Sequence, residues 1–529
     1  MTNNLDVKAA WKYHDATRHS YSSVRANPHL LDFSNQPLPF KIYPALEPSR
    51  MPTEVLQTGV AALSAIAGSS AGPTGIPSNA ALNLEAVAEL LYLSAGITRQ
   101  RKYSGGEIYF RAAACTGALY EVELYLVCGD VCGDLPKLQA GVYHFAPAEF
   151  GLRQLRAGDY RNVLVEAAGG EASLAHAPLT IVCTCTYWRN AWKYQARTYR
   201  HFGWDNGTLI ANLLAVATAL GLPAKVVCGF VDATVNRLLD VDAEREVAFS
   251  LIALGHGSEI SSQTHARVRA DIPPLGFETV PLSRHEIDYP LMREMHAASS
   301  LDSAEEVTAW RERASLGHAG MSNSLPPAGP VVPLQPLSEA EMPRDPVEQV
   351  ILRRGSSRQF ARTPISLAQL STMLDRATRG VPADFLNPTG SQLNDLYLIV
   401  HAVDGLESGA YFFDRERGAL QCLKHGVFRD QAGYLGLEQQ LPADAAVDIF
   451  FLADLRPIFH RLGNRGYRAV QLEAGIIGGK LYLAAYAQRL GATGLTFYDD
   501  DVTQFFSPHA EGKSAIFLVA VGNSAKRAS

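Results

Sequence analysis

Apolar residues along the chain fall into two patterns, one typical of helices and one typical of buried strands. Asp205–Leu222 has apolar side chains at helical spacing, and Gly475–Leu490 is its counterpart later in the chain. Both segments are apolar nearly all round, so we expect two buried helices. Glu123–Val127 and Ala515–Val521 are short continuous apolar runs, as expected for strands of a sheet covered on both faces. Ser366 precedes an amphipathic run and is expected to be its N-cap. The mixture predicts an α+β fold.

The second half of the chain repeats blocks of the first half in the same order. Arg197-Thr-Tyr-Arg200 recurs as Arg465-Gly-Tyr-Arg468, and Phe230-Val-Asp232 recurs as Phe497-Tyr-Asp499. The other matched blocks are Gly117–Val127 with Gly390–Val400, Gly141–Tyr143 with Gly409–Tyr411, and Ser250–Gly255 with Phe517–Gly522. Matched blocks at a nearly constant offset predict two copies of one domain.

A proline-rich stretch separates the two copies. Residues 325–346 contain Pro326, Pro327, Pro330, Pro333, Pro336, Pro343 and Pro346. Proline at this density blocks helices and central strands and favours an extended connector. We therefore expect a first domain over residues 1–268, a wrapping arm and linker over 269–345, and a second domain over 346–529. Within the arm, Ser303–Leu316 predicts one helix.

Composition and charge exclude several classes of protein. The chain has 529 residues, of which 47% are hydrophobic and 19% charged, as in an ordinary multidomain globular protein. A net charge of -6 offers no basic face for nucleic acid. We find neither a run of about 18 apolar residues, which a membrane span needs, nor a signal peptide, and expect a cytoplasmic protein. Its seven cysteines predict neither a disulfide framework nor a metal site, because they lie in apolar runs without ligand spacing.

Three motifs carry a resemblance to a known family. They are Arg354-Gly-Ser-Ser-Arg358, Arg111–Tyr125, and Leu490-Gly-Ala-Thr-Gly-Leu-Thr496. In combination they resemble the FMN-dependent nitroreductase superfamily. In the first half, Tyr13–Ser20 and Trp192–Arg200 are similar to the SagB/ThcOx-type dehydrogenases, which oxidise thiazolines and oxazolines in modified peptides. The resemblance spans both copies of the repeat.

The resemblance implies an architecture and a cofactor. Family members are usually homodimers with flavin at the interface, so the two tandem nitroreductase-like domains would form an intrachain pseudo-dimer. Each would have a central, mainly antiparallel sheet flanked by helices. The chain would bind FMN in a composite site built by both copies. Whether the chain pairs again, as a homodimer of pseudo-dimers, stays open.

The resemblance also implies which residues bind FMN. A phosphate dianion suits the planar donor fork of arginine, and Arg354, Ser356 and Arg358 are expected to hold the phosphate and ribityl chain. Glycine-containing loops permit close backbone approach to the flavin ring. The expected ring contacts are Arg111, Cys115, Thr116 and Gly117 from the first copy and Gly491, Ala492, Thr493 and Gly494 from the second. Cys115 stands where the family usually has serine, and a thiol is a weaker donor.

The mirror-image site looks poorer in sequence. His19–Arg25 would supply its phosphate contacts but lacks the Arg-x-Ser-x-Arg spacing, and Pro388–Ser391 would form its opposite wall. We therefore expect one FMN per chain, and a second site that is empty or a remnant.

Lys193 and Tyr194 are the candidate catalytic pair. In the azoline-oxidising branch a Lys-Tyr pair at this place is associated with removal of the substrate proton. A lysine desolvated beside a flavin could accept that proton, although neighbouring Lys and Tyr are also common on surfaces. The repeated residues Arg197, Tyr199 and Arg200 more often have a structural role, such as fixing the long helix.

Three functions remain compatible with the sequence. The first is a flavin dehydrogenase or oxidase that acts on a C–N or C–C bond of a small-molecule or modified-peptide substrate. The second is an NAD(P)H-dependent reductase of nitro compounds or quinones, because a fold does not fix a function. The third is a flavin-free binding scaffold.

Overall fold

The structure is a computed structural model that describes residues 4–26, 28–68, 82–103, 106–131, 138–257, 272–315, 329–386 and 391–525. Cys132, one of the seven cysteines, lies outside these ranges, as do Leu316, Pro326, Pro327 and Pro388 to Gly390 of the sequence predictions. Among the described residues no helix combines the length and the apolar character needed to cross a bilayer.

The first half is built on a seven-stranded antiparallel sheet in the order β1-β6-β5-β4-β7-β9-β8, beside which β2 and β3 form a separate hairpin. The strands are β1 (Ser49–Arg50), β2 (Ile97–Tyr103), β3 (Gly106–Arg111), β4 (Val122–Cys128), β5 (Gly141–Ala146), β6 (Gly151–Ala157), β7 (Leu179–Thr186), β8 (Ala224–Val227) and β9 (Glu246–Leu254). Every residue of β4 and β7 is buried, which explains their continuous apolar runs.

The second half repeats this topology. Its sheet has the order β10-β15-β14-β12-β16-β18-β17 and is also antiparallel. The strands of this half are β10 (Val331–Pro333), β11 (Ile365–Ser366), β12 (Asp395–Val400), β13 (Val403–Asp404), β14 (Gly409–Asp414), β15 (Ala419–His425), β16 (Val447–Ala453), β17 (Gly491–Leu495) and β18 (Ser514–Gly522). Strand for strand the two sheets correspond, which confirms the two-domain α+β fold.

Helices cover the sheets and join the halves. In chain order they are α1 (Lys8–Ala16), α2 (Tyr21–Ala26), α3 (Ala62–Ala67), α4 (Leu84–Ala95), α5 (Arg161–Ala167), α6 (Ala172–Ala175), α7 (Tyr187–Tyr194), α8 (Thr198–Ala219), α9 (Asp232–Leu239), α10 (Pro290–Ala298), α11 (Ala304–Ser315), α12 (Val347–Arg353), α13 (Leu367–Ala377), α14 (Arg429–Leu435), α15 (Gln440–Asp444), α16 (Leu455–Leu462), α17 (Arg465–Ala487) and α18 (Asp499–Phe506). Ser366 caps α13 in a capping box with Gln369, as predicted for the N-cap.

The two long helices, α8 and α17, cross at the centre of the molecule. They touch at the repeated glycines, where a Cβ built on Gly207 would lie 2.5 Å from the Cα of Gly475. Only glycine permits backbones to approach so closely. The crossing joins the halves as one buried seam, along which nearly every residue of both helices is buried.

Reciprocal ion pairs close the seam on both sides. Asp499 of the second half lies 3.0 Å from Arg197 and 2.6 Å from Arg200 of the first half. Conversely, Asp232 lies 2.6 Å from Arg465 and 2.7 Å from Arg468. All of these side chains are buried. The repeated arginines and aspartates thus hold one copy to the other, and we call the two clusters the clasps.

The segment between the copies adopts more structure than a connector. Its helix α11 is the one predicted from Ser303–Leu316, and Trp310 on it donates a hydrogen bond to the carbonyl of Leu462 across the seam. Strand β10, which contains Pro333, pairs with β15 at the edge of the second sheet. An edge strand tolerates proline, so the predicted linker contributes a strand to the second domain.

Candidate active site

A cavity of about 1010 Å³ opens at the seam and is lined by both halves. It brings together most of the residues that the sequence singled out: Arg111, Cys115, Thr116, Gly117, Lys193, Tyr194, Arg354, Ser356, Arg358, Thr493 and Gly494. Gly491 and Ala492 do not line it. The structure therefore brings residues of both halves together in one cavity, and their binding of FMN stays a prediction.

Arg354 and Arg358 have different surroundings despite sharing a motif. Arg354 is buried, and its guanidinium donates to the carbonyls of Ala112 (2.9 Å) and Arg111 (3.3 Å) in the first half. Arg358 is exposed, and it has no hydrogen bond or ion pair within the described ranges. Ser356 is also exposed to the cavity. Arg354 thus holds the wall of the cavity, whereas Arg358 and Ser356 are exposed to a ligand, with Ser356 Oγ 3.5 Å from the Tyr482 hydroxyl.

The predicted glycine loop of the second half is a strand, β17. Gly491 and Ala492 pair with Gly522 and Val521 of β18, and a Cβ on Gly491 would lie 2.1 Å from the Oγ of Ser357. These two residues are paired within the sheet and do not line the cavity, so the structure does not bring them together with the other predicted site residues. The last part of the strand, Thr493 and Gly494, does reach the cavity.

The loop before β4 supplies the wall from the first half. Its Gly117 has a φ of 65°, and a Cβ there would lie 2.9 Å from the phenol oxygen of Tyr194. Arg111 is buried, and its guanidinium donates to the carbonyl of Pro39 at 2.8 Å. Arg111 therefore supports the loop, while Thr116 and Gly117 form its surface.

Lys193 and Tyr194 lie at the end of α7, where the chain turns into α8. The following residue, Gln195, has a φ of 50°, a left-handed conformation that is uncommon for a residue with a side chain. Lys193 is half-buried, and its Nζ lies 5.3 Å from the centre of the Tyr194 ring. Desolvation and the positive charge of Arg358 lower the pKa of Lys193. Such a lysine loses a proton more readily than one on the surface.

Helix α8 adds residues that sequence reasoning did not assign to the site. His201, Trp204, Asp205 and Thr208 line the cavity. Thr208 donates to the carbonyl of Ala114 at 2.6 Å, and Asp205 accepts from the amide and hydroxyl of Thr116, each at 2.8 Å. The spacing of His201, Asp205 and Thr208 along one helical face was the available signal.

In the mirror-image position, Arg25 is already engaged. Its guanidinium donates to Glu438 at 2.5 Å and to Tyr498 at 3.3 Å. The opposite wall at Pro388 to Gly390 lies outside the described residues. The expectation of an empty second site therefore stays a prediction.

Comparison with known proteins decides the family. The profile of the Nitroreductase family matches residues 78–256 and again residues 351–523. The chain belongs to the nitroreductase family. Members of this family are oxidoreductases that commonly bind a flavin.

Proteins similar to this nitroreductase-family chain include one solved structure and two proteins named for the processing of microcin B17 and trifolitoxin. A crystal structure from Anabaena variabilis, provisionally named a nitroreductase, aligns with a TM-score of 0.74 at 23% identity over 98% of this chain and 99% of its own, and shows the shared tandem fold. The microcin B17-processing protein McbC of Escherichia coli is 28% identical over 25% of this chain and 48% of its own length. The trifolitoxin-processing protein TfxB of Rhizobium leguminosarum is 28% identical over 32% of this chain and 46% of its own. The matches thus span about half the length of McbC and TfxB.

Proposed function

We propose that this chain is an FMN-dependent dehydrogenase or oxidase of the SagB type. It would oxidise a C–N or C–C bond, such as that of an azoline in a modified peptide. The observation that carries the proposal is that Lys193 and Tyr194 line the same cavity as Arg358, with a lowered pKa for the lysine. The processing roles in the names of McbC and TfxB support the substrate class.

The residues of the cavity fit FMN. Arg358 is a cation without a protein partner in the described ranges, and Ser356 adds a hydroxyl beside it, which suits a phosphate-bearing tail. The cradle at Gly117, Thr493 and Gly494 offers backbone within reach of a flat ring. When bound, FMN would supply the hydride acceptor that the side chains of this chain lack.

In this proposal Lys193 takes a proton from the substrate. Half-burial and the nearby Arg358 favour its neutral form, which is the form that a general base requires. Burial raises the pKa of Tyr194, so its phenol stays protonated and can donate a hydrogen bond to the substrate. The two residues thus differ in proton state although they are neighbours in sequence.

Replacing Lys193 tests this assignment. We expect Lys193→Met, which keeps the aliphatic chain and removes the amine, to lower turnover by at least about 100-fold while bound FMN stays at the wild-type level. Lys225→Met is the matched control, because Lys225 pairs with Glu171, lies on the edge strand β8 of the first sheet and does not line the cavity. Turnover of Lys193→Met equal to that of the control would refute the role of the lysine.

The same assays separate the rival functions. Turnover that requires NADPH with a nitro compound or a quinone, and no oxidation of azoline peptides, would favour the reductase. Purified protein without bound flavin, and without flavin binding on titration, would favour the scaffold.

We also propose the domain limits 1–268 and 346–529, which limited proteolysis would test, and a cytoplasmic location, which cell fractionation would test.

A further inference from the structure

Two carboxylic acids that take no part in the proposed proton abstraction lie close together at the cavity, one lining it and the other buried behind its wall. Glu121 precedes β4 and is fully buried, and Asp205 on α8 is 5% exposed and lines the cavity. The thiol of Cys115 lies between them, 3.4 Å from Asp205 Oδ2 and 3.5 Å from Glu121 Oε2. We call Glu121 and Asp205 the acid pair.

Among the described residues, neutral donors surround the acid pair and no cation forms an ion pair with it. Asp205 Oδ1 accepts two hydrogen bonds from Thr116, and Glu121 Oε2 accepts one from the Asn190 amide at 3.3 Å. In the part of the chain that the structure describes, neither carboxyl forms an ion pair, and Glu121 Oε1 receives no N–H or thiol donor. A proton held between the two carboxyls supplies the missing donor.

The electrostatic environment also favours a proton shared by the two carboxyls. Two adjacent carboxylates without a cation cannot both ionise, and burial with the neighbouring acid raises the pKa of Asp205 well above its ordinary value. Burial also raises the pKa of Glu121. The other titratable groups that face the pair, Cys115, Cys185 and Tyr194, are themselves kept neutral by burial.

The pair is confined to the half that carries Lys193. The repeat that matches Arg197 with Arg465 and Gly207 with Gly475 places Glu473 at the position of Asp205. Glu473 accepts from the amides of Leu393 and Asn394, each at 2.9 Å, and faces Arg415. Glu473 thus faces an arginine, although burial still raises its pKa, whereas a second acid accompanies Asp205. The acid pair is thus found in the half that carries the proposed catalytic residue Lys193, and not at the matching position of the other half.

We propose that Glu121 and Asp205 share one proton in the unliganded protein, and that on ligand binding Asp205 retains this proton and donates it in a hydrogen bond to a carbonyl oxygen or ring nitrogen of the molecule bound in the cavity. A neutral carboxylic acid in such a place stabilises negative charge that develops on the acceptor during reaction. This catalytic use rests on the proposed function, whereas the shared proton itself does not.

The spacing of Cys115, Glu121 and Asp205, whose candidate ligand atoms lie within 4.8 Å of one another, would also suit a cation. The thiol, the Asn190 amide and the Thr116 donors already point at the carboxylate oxygens and would oppose one. The structure therefore favours a proton, and the metal becomes an outcome of the test.

Infrared difference spectroscopy tests the shared proton on the full chain without any substrate. We expect the wild-type-minus-Asp205→Asn spectrum at pH 8 to contain the carbonyl band of a protonated carboxylic acid, and Glu121→Gln to remove the same band. Glu89→Gln is the control, because Glu89 lies on α4, accepts from the Leu56 amide and has a pKa raised to about 7. Its band should titrate away near pH 7 while that of the pair persists.

The proposal would be overturned if the wild-type-minus-Asp205→Asn spectrum lacked this carbonyl band. That test does not depend on whether Glu121→Gln folds. Stoichiometric metal in the purified protein that is lost in Asp205→Asn would overturn it as well.

For catalysis, we expect Asp205→Asn to keep its flavin and to lower turnover on the order of 100-fold, with the turnover of Glu89→Gln unchanged. A protein with the band but no azoline oxidation would keep the acid pair and reject the proposed function.

Discussion

At the scale of residues, the motif Arg354-Gly-Ser-Ser-Arg358 divides into two tasks. Arg354 donates to backbone carbonyls of the opposite half, and Arg358 stays exposed at the cavity. The sequence resemblance implies that both arginines bind the phosphate. Their spacing alone does not reveal that the guanidinium of Arg354 is already hydrogen-bonded to backbone carbonyls of the other half. The structure therefore predicts different phenotypes for the two arginines.

We expect Arg358→Ala to weaken FMN binding by about tenfold or more with little change in stability, because a charge-assisted hydrogen bond is lost. Arg354→Ala should instead lower the free energy of unfolding by roughly 1–3 kcal/mol, because buried carbonyls lose their donor. Flavin titration and urea denaturation separate the two effects. The control is Arg362→Ala, since Arg362 pairs with Asp444 on the surface. Equal loss of stability in both site variants would contradict the division.

At the scale of elements, the crossing of α8 and α17 depends on glycine. Gly207→Ala would place a methyl group 2.5 Å from the backbone of Gly475. We expect it to destabilise the protein by about 1–3 kcal/mol despite the better helix propensity of alanine. Gly257→Ala is the control, since among the described residues its Cβ would contact only the carbonyl of His176, at 3.7 Å. A Gly207→Ala variant as stable as wild type in urea would show that the helices can separate without cost.

Apolar patterning predicted most elements but not their ends. The helix expected over Asp205–Leu222 begins at Thr198 instead, because the residues before Asp205 are polar or aromatic and give no apolar periodicity, although they too are buried. The stretch Gly491–Leu495 reads as a glycine loop, yet pairing with β18 makes it a strand. Glu121 and Asp205 were not predicted as a pair, because no local spacing links a residue before β4 to one on α8.

At the scale of the whole molecule, the ion pairs of the two clasps make the stability of the seam depend on pH in the acid range. The pKa values of Asp232 and Asp499 are each lowered to about 2 by the arginines that contact them. Because the folded pKa lies below the unfolded value near 3.9, the stabilisation is complete above about pH 5 and is lost as the pH falls toward 2. It amounts to on the order of 2 kcal/mol for each aspartate.

We expect Asp499→Asn to be less stable than wild type at pH 7 by about 3–5 kcal/mol, because two buried arginines lose their counter-ion. Its stability should also fall less steeply between pH 5 and pH 3. Calorimetry across this range checks both effects. Asp500→Asn is the control, since Asp500 pairs with Arg18 at the surface. An unchanged pH slope in Asp499→Asn would show that the clasp does not govern acid unfolding.

The central claim is one flavin site per chain, built by both halves around Arg358. Mass spectrometry and absorbance of the small molecule released on denaturation test it most directly. We predict one FMN per chain, still present in Arg25→Ala and depleted in Arg358→Ala. Two FMN per chain, or none in protein purified with added FMN, would contradict the account.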